Sequence, residues 1–435
     1  MEGFMLKKNR WLCVFVLAML VLGSLLGCTA QEEVEAEAAA PEAEPEVESE
    51  APPADPVTLE VWLLDRVGTD AMAAAREVVE AWATETGNKV NITEGNQFEM
   101  LNNIPVAIPA GEGPDVFMTV NNYVGGHYLG GLIVPMGDAF DASDAYLPGA
   151  LDAFIVDGQL LGIPIAADVN ALVYNKAKVS QAPQSMEELV ALSKDLTTGD
   201  EYGLLYQIDS FWYSYPFFSA FGGYIFDWTG TGWDTTNLGF NTTEGIAGLQ
   251  YLRDLVTEEE LMPADVTWEV MNAFFTEGKS AMIITNPQMV PSFKDAGIDV
   301  GVARIPAPEG ADAPKPLATY TGFSVSAYSE HQDQAIDLVK YLGANVGKPL
   351  YTFNSGNIPV YLEVLEDAEL SSDEELAAWM SQLEASDPLP NIDAMNFVWA
   401  PATTAFQTVV HGEVDVATAM QEAQNLILES LAANQ

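Results

Sequence analysis

Beyond residue 56 the chain alternates short apolar runs with longer stretches whose apolar residues return every three or four positions. The first rhythm suits strands and the second suits helices. VTLEVWLL (57–64) predicts a strand. Met72, Val78, Val79 and Trp82 fall at helical spacing over 70–84, and Gly87 stops that helix. KVNIT (89–93), DVFMTV (115–120) and ALVYN (171–175) predict further strands. Ser185 with Glu188 reads as a capping box for a helix running to about Leu196, and Asn241 with Glu244 reads as another before 246–256. Residues 268–277 predict a helix with Gly278 at its C′ position, and SAMIIT (280–285) returns as a strand. Helices near 332–342, 372–384 and 415–433 close the chain, and no internal repeat is visible. Long helices between short apolar strands predict α/β lobes with mainly parallel sheets. A single core seldom grows past ~250–300 residues, so 435 residues predict two lobes.

The first 56 residues follow other rules. Lys7, Lys8 and Arg10 precede an apolar run of 16 residues from Trp11 to Leu26, short for a spanning helix. The run ends in Leu25-Leu26-Gly27-Cys28, which resembles a bacterial lipobox. That resemblance implies a signal peptide over 1–28, with Cys28 diacylated as the first mature residue. More than one acyl chain gives stable attachment, where a single chain is marginal. Residues 29–56 are Glu, Ala and Pro with almost nothing to bury, and read as a disordered tether. The expected location is extracytoplasmic, held to the membrane by the lipid alone.

Charge narrows the partners. The chain carries 64 acidic and 16 basic residues, and residues 57–435 alone hold 53 and 13. Such a field repels nucleic acid and anionic head groups, and suits solubility or a neutral or cationic ligand. The two cysteines, Cys13 and Cys28, both lie in the front segment, so no disulfide or thiolate metal site is expected in the body. His127, His331 and His411 are far apart and form no metal-ligand spacing, so no metal or other cofactor is expected.

Six blocks then carry a more specific signal. GEGPDVFMTVNNYVGGHYLGGLIVPM (111–136), PIAADVNALVYNK (164–176), PQSMEELVAL (183–192), FFSAFGGYIF (217–226), FFTEGKSAMIITNP (274–287) and LPNIDAMNFVW (389–399) occur in this order. Together they resemble the family 1 extracellular solute-binding proteins of ABC importers, on their maltose/maltodextrin-binding side. The resemblance spans residues 57–435. It implies the two-lobed periplasmic-binding-protein-like fold, with a multi-crossing hinge near 167–171, 318–323 and 362–371. The N-terminal lobe would comprise 57–168 plus 319–366, and the C-terminal lobe 169–318 plus 367–435. The lobes would close on an oligosaccharide in the cleft between them, and the closed monomer would dock on the permease.

Sugars offer C–H faces that stack on aromatic rings and hydroxyls that need donors and acceptors. The run Phe211-Trp212-Tyr213-Ser214-Tyr215 has that chemistry. By position in the family pattern, Trp212, Tyr213 and Trp399 fall on stacking places, with Tyr215 in the same cluster. Asp168 falls on a hydroxyl-binding carboxylate at the first hinge crossing, and Arg66 on a basic sugar contact. The pattern's tryptophan, acid and arginine after GPD are replaced by Thr119, Asn122 and Tyr123. Its acid in the aromatic cluster becomes Ser210, and its second stacking tryptophan becomes Gln288. These departures bear on which sugar is bound. Asp115 of the GPD turn reads as structural, and Trp62 as core.

Two competing readings remain at this level. A secreted glycoside hydrolase would need two carboxylates flanking the bond, and with 64 acidic residues their abundance identifies nothing. No Ser/His/Asp arrangement or phosphate loop stands out, so an enzyme is not expected. The same scaffold could instead take a different oligosaccharide or a cationic ligand, since aromatic cages for cations look like sugar platforms in sequence.

Overall fold

The computed structural model describes residues 55–65, 69–137, 143–230, 232–352 and 356–434. Cys28, the signal-like run and the tether to residue 54 lie outside the described residues, as does Arg66. Among the described residues no helix is long and apolar enough to cross a membrane.

The chain opens with β1 (Thr58–Asp65), α1 (Thr69–Thr86), β2 (Lys89–Asn96), α2 (Gln97–Ala110), β3 (Val116–Val120) and α3 (Asn121–Leu129). β1 buries Leu59, Val61 and Leu63 completely and exposes Thr58 and Glu60, the alternation expected of a pleated strand. A short hairpin of β4 (Ile155–Val156) and β5 (Gln159–Leu160) follows, then β6 (Ile163–Val169) and β7 (Ala171–Asn175). Next come α4 (Met186–Leu196), β8 (Tyr202–Leu204), α5 (Phe211–Ala220), the hairpin β9 (Asp227–Trp228) and β10 (Trp233–Asp234), and α6 (Thr243–Thr257). α7 (Trp268–Thr276), β11 (Ser280–Thr285), α8 (Val290–Asp295), β12 (Val300–Ala303) and β13 (Leu317–Val325) lead to α9 (Gln332–Asn345) and α10 (Gly347–Leu350). β14 (Ile358–Pro359), α11 (Leu362–Leu365), α12 (Glu374–Glu384), β15 (Asp387–Pro388), α13 (Trp399–Val410) and α14 (Val416–Ala433) complete it.

The strands form two main sheets. One is seven-stranded, ordered β14-β6-β13-β3-β1-β2 with β15 on β13; the other is four-stranded, ordered β12-β7-β11-β8. The expectation of mainly parallel sheets needs correction. β1 runs parallel to β2 and β3, but β13 is antiparallel to both β3 and β6, and β7 is antiparallel to β11 and β12. Topology explains the mixture. β6 leaves the large sheet and becomes β7 of the small one through the single residue Asn170, and β13 returns to the large sheet after β12 of the small one. A strand that enters a sheet from the other body runs in the direction set by that entry, not by a crossover helix. β6 and β13 are buried along their whole length, as central strands should be.

Two apolar cores accompany the sheets. Leu59, Val61, Phe117, Ile163, Phe323 and Leu338 belong to the larger, and Leu172, Tyr206, Phe211, Phe218, Leu249 and Phe406 to the smaller. Asp115 is structural, as expected: its carboxylate accepts from Glu60 N at 2.8 Å and Ser329 Oγ at 2.6 Å. Ser185 caps α4 by accepting from Glu188 N, while Glu188 reaches back to Gln184 N. α6 differs from expectation by one residue. Thr242, not Asn241, is its cap, its hydroxyl accepting from Gly245 N at 3.0 Å. Asn241 is engaged by Gln421 and Gln424 of α14.

Candidate functional site

Asn170 sits at the junction of the two sheets and is fully buried. Its Nδ2 donates to the Trp212 carbonyl at 3.3 Å. The reason lies four residues further on. Pro216 is inside α5 and has no N–H, so Trp212 O lacks its usual intrahelical donor. The junction residue supplies the donor instead, and so fixes the first turn of α5 to the crossing strands.

That first turn carries Trp212 and Tyr213. The Trp212 indole meets Trp399 at 6.4 Å between ring centroids and 50° between planes. Trp399 opens α13 and also packs edge-on against Phe211 at 6.1 Å. Trp212 and Trp399 are partly buried, with apolar residues of the smaller core behind them. Asp168, at the end of β6, is only 5 % exposed and pairs across the sheet with Thr319 of β13. Burial, and then the nearby charge of Asp168, pushes the Tyr213 hydroxyl well above the usual tyrosine range; a hydrogen bond with Trp268 opposes this. Asp168, Trp212, Tyr213 and Trp399 are therefore brought together.

Trp268 joins them, and the sequence reading gave it no role beyond starting a helix. It is the first residue of α7, after the cap Thr267, and remains 39 % exposed. Its exposure is visible only in the structure, and no sequence signal marks a tryptophan at a helix start. Its link to the group is a hydrogen bond with Tyr213.

The other candidates are placed as follows. Ser210 is the N-cap residue of α5, but its side chain makes no capping bond. Gln288 is buried, its Nε2 donates to Asn357 Oδ1 at 3.5 Å, and its Oε1 has no partner among the described residues. The two segments meet closely here: a Cβ on Gly356 would lie 2.1 Å from Pro287 O, so only glycine fits. Asn122 and Tyr123 lie in the first turn of α3, half-buried. Their neighbour Asn121 ties that turn to the crossing segments: its Nδ2 donates to Leu389 O at 2.9 Å and its Oδ1 accepts from Tyr320 N at 3.0 Å. Thr119 is fully buried within β3. Tyr215 is not part of the group. Its ring packs on Phe211 and Phe218, and its hydroxyl donates to Asp387 Oδ2 at 3.2 Å, on the wall of a separate cavity.

Chemically, the group offers indole faces, a phenol and one buried carboxylate. Thr319 Oγ1 and Asn286 Oδ1 are also buried without a partner among the described residues. Buried polar atoms are normally paired, so such atoms suit a polar ligand or water. Just before α5, Asp209 meets His411 Nε2 at 3.2 Å; burial raises the Asp209 pKa, against that bond. Among the described residues no cluster of His, Cys, Asp or Glu could hold a metal ion.

A family model for bacterial extracellular solute-binding protein matches residues 77–378, and the chain belongs to that family. The galactooligosaccharide-binding protein of Bacillus subtilis (strain 168) is 28% identical over 355 residues, covering 80% of this chain and 84% of that one. The maltooligosaccharide ABC transporter solute-binding lipoprotein of Streptococcus pneumoniae (strain ATCC BAA-255 / R6) is 28% identical over 369 residues, covering 82% and 85%. The solved Thermus thermophilus maltotriose binding protein, bound with maltotriose, superposes with a TM-score of 0.76 at 28% identity, covering 86% of this chain and all of that one. The fold is thus the two-lobed, periplasmic-binding-protein-like α/β fold.

Proposed function

We propose that this chain is the substrate-binding lipoprotein of a carbohydrate ABC importer and performs no catalysis. It captures a maltodextrin-type oligosaccharide by closing its lobes, 57–168 plus 319–366 against 169–318 plus 367–435, and hands it to the permease subunits. Cys28 carries the lipid that holds the monomer outside the cytoplasm. The observation that carries the reading is the Trp212–Trp399 pair set beside Asp168 and Tyr213. Sugar C–H faces stack on the indoles while Asp168 accepts from hydroxyls. Of the side chains gathered there one is a carboxylate, whereas glycoside hydrolysis uses two.

A second reading keeps the class and changes the sugar. Gln288 and Asn357 put amides where the maltodextrin pattern has a tryptophan, and amides favour hydroxyl recognition over stacking. The relative from Bacillus subtilis is named for galactooligosaccharide.

The test is thermal unfolding of the full-length protein against maltose, maltotriose and galactooligosaccharides. A true ligand at a hundredfold excess over its Kd adds ~2.7 kcal/mol. Trp212→Ala and Trp399→Ala should each weaken the responding sugar by ~2 kcal/mol or more, about thirtyfold. No response to any sugar would overturn the carbohydrate reading; unchanged affinity in both variants would overturn the site.

A further inference from the structure

Asp209 stands one residue before the cap of α5, outside the group gathered around Asp168. It is only 8 % exposed, and Ile208 before it is fully buried. Its Oδ2 meets His411 Nε2 at 3.2 Å, and its Oδ1 is buried without a partner among the described residues. A carboxylate is costly to bury unless it is paired. Burial raises the Asp209 pKa, the bond and attraction to His411 lower it, and Asp265 raises it further. The His411 bond is thus what offsets the burial of this carboxylate.

His411 sits at the far end of a platform helix. α13 begins with Trp399 and is capped by His411, whose backbone N–H closes the helix on Gln407 O and Val409 O. Its 12 residues span ~18 Å. The segment 209–212 runs back along this helix. Asp209 meets the C-terminal cap, the Phe211 ring lies 5.1 Å from that of Phe406, and the Trp212 ring lies 6.4 Å from that of Trp399. One short segment touches the helix at its end, its middle and its start.

The three contacts differ in kind. Two are ring packing, which is largely non-directional and lets the rings slide and tilt. The third is a hydrogen bond, with a set distance and direction. The other polar ties of the segment lead elsewhere. Ser214 Oγ donates to Ile208 O at 2.6 Å, Ser210 N donates to Gln207 O at 3.2 Å, and Asn170 Nδ2 donates to Trp212 O. Among the described residues, Asp209–His411 is the hydrogen bond that joins the segment to α13. Without it the segment would shift along α13 within the play of the rings, and the indole spacing would shift with it.

We propose that Asp209 and His411 are positioning residues for the sugar platform: their bond holds the segment before α5 in register on α13, and so sets the spacing of the Trp212 and Trp399 indoles. This rests on those indoles being the surface that meets the sugar.

The test is a titration of the full-length protein with maltotriose, or with galactooligosaccharide if that is the sugar that stabilises it. Asp209→Ala should weaken the sugar about fivefold or more, and His411→Ala should do the same. The double variant should be no weaker than either single one, because one bond is lost in all three. Asp209→Asn keeps an oxygen for the imidazole and should recover most of the loss. In a Trp399→Ala background there is no second indole to place, so adding Asp209→Ala should change affinity by less than about twofold. A lower melting temperature with unchanged sugar affinity would make the pair a structural bond only, and would overturn the proposal. The full loss from Asp209→Ala in the Trp399→Ala background would overturn it too. If Asp209→Ala does not fold, His411→Ala, at a partly exposed side chain, reads the same bond. Unchanged affinity in both Trp212→Ala and Trp399→Ala is a different failure, which removes the platform and this reading with it.

Discussion

Pro216 and Asn170 are 46 positions apart, yet one exists to complete the other's deficit. The proline removes the donor that Trp212 O would have used, and the Asn170 amide restores one from the sheet junction. Replacing Asn170 by leucine keeps the volume and leaves that carbonyl unpaired near the interior. An unpaired buried acceptor costs about 1–3 kcal/mol, so the Asn170→Leu protein should unfold at lower urea by that amount. Its sugar affinity should fall as well, because Trp212 loses the contact that orients it. Urea unfolding and a sugar titration read the two effects separately. If stability falls and affinity holds, Asn170 is a structural residue only. If neither changes, the bond has no weight in solution.

At the scale of elements, α6 depends on one hydroxyl. Thr242 accepts from Gly245 N, and removing a side-chain cap typically costs about 1 kcal/mol. Thr242→Ala should therefore lower the unfolding free energy by roughly that much, while Thr242→Ser keeps most of it. Equal midpoints for wild type, Ala and Ser variants would sink the assignment. The sequence pattern predicts this helix but puts the cap on Asn241. Both residue types cap well, and only the tertiary contacts of Asn241 with Gln421 and Gln424 decide between them. Elements whose rhythm is self-contained read correctly, such as β7 at 171–175, α4 ending at Leu196 and β11 at 280–285. Strand direction in β13 does not read, because it depends on the body from which the strand arrives. Trp212, Tyr213, Trp399 and Asp168 were legible through family position, and the structure brings them together. Trp268 was not, since a tryptophan at a helix start carries no positional mark. Tyr215 shares a cluster with Trp212 in sequence, but its ring packs on Phe211 and Phe218 of the smaller core and its hydroxyl reaches Asp387 on a different cavity wall.

At the scale of the whole molecule, a net charge of −48 must be carried by one chain. Its ion pairs are mostly exposed, as at Lys194–Glu259 and Lys178–Glu201, and such pairs contribute ~0–1 kcal/mol each. Screening them loses little. Screening the excess of unpaired carboxylates gains more, because self-repulsion opposes the compact state. The screening length falls from ~30 Å at 0.01 M salt to ~10 Å at 0.1 M. The melting temperature of the full-length protein should therefore rise with sodium chloride, most steeply below about 0.1 M, and then flatten as the length drops below the spacing of surface charges. The shape of the curve separates this from salting-out of apolar surface, which strengthens steadily at high concentration and more with sulfate than with chloride. A steep early rise that is the same for chloride and sulfate at matched ionic strength is the expected result. A melting temperature that falls over the first 0.1 M would mean that the sparse ion pairs outweigh the repulsion. The folded surface would then have to be arranged so that each of its few cations sits where several carboxylates converge.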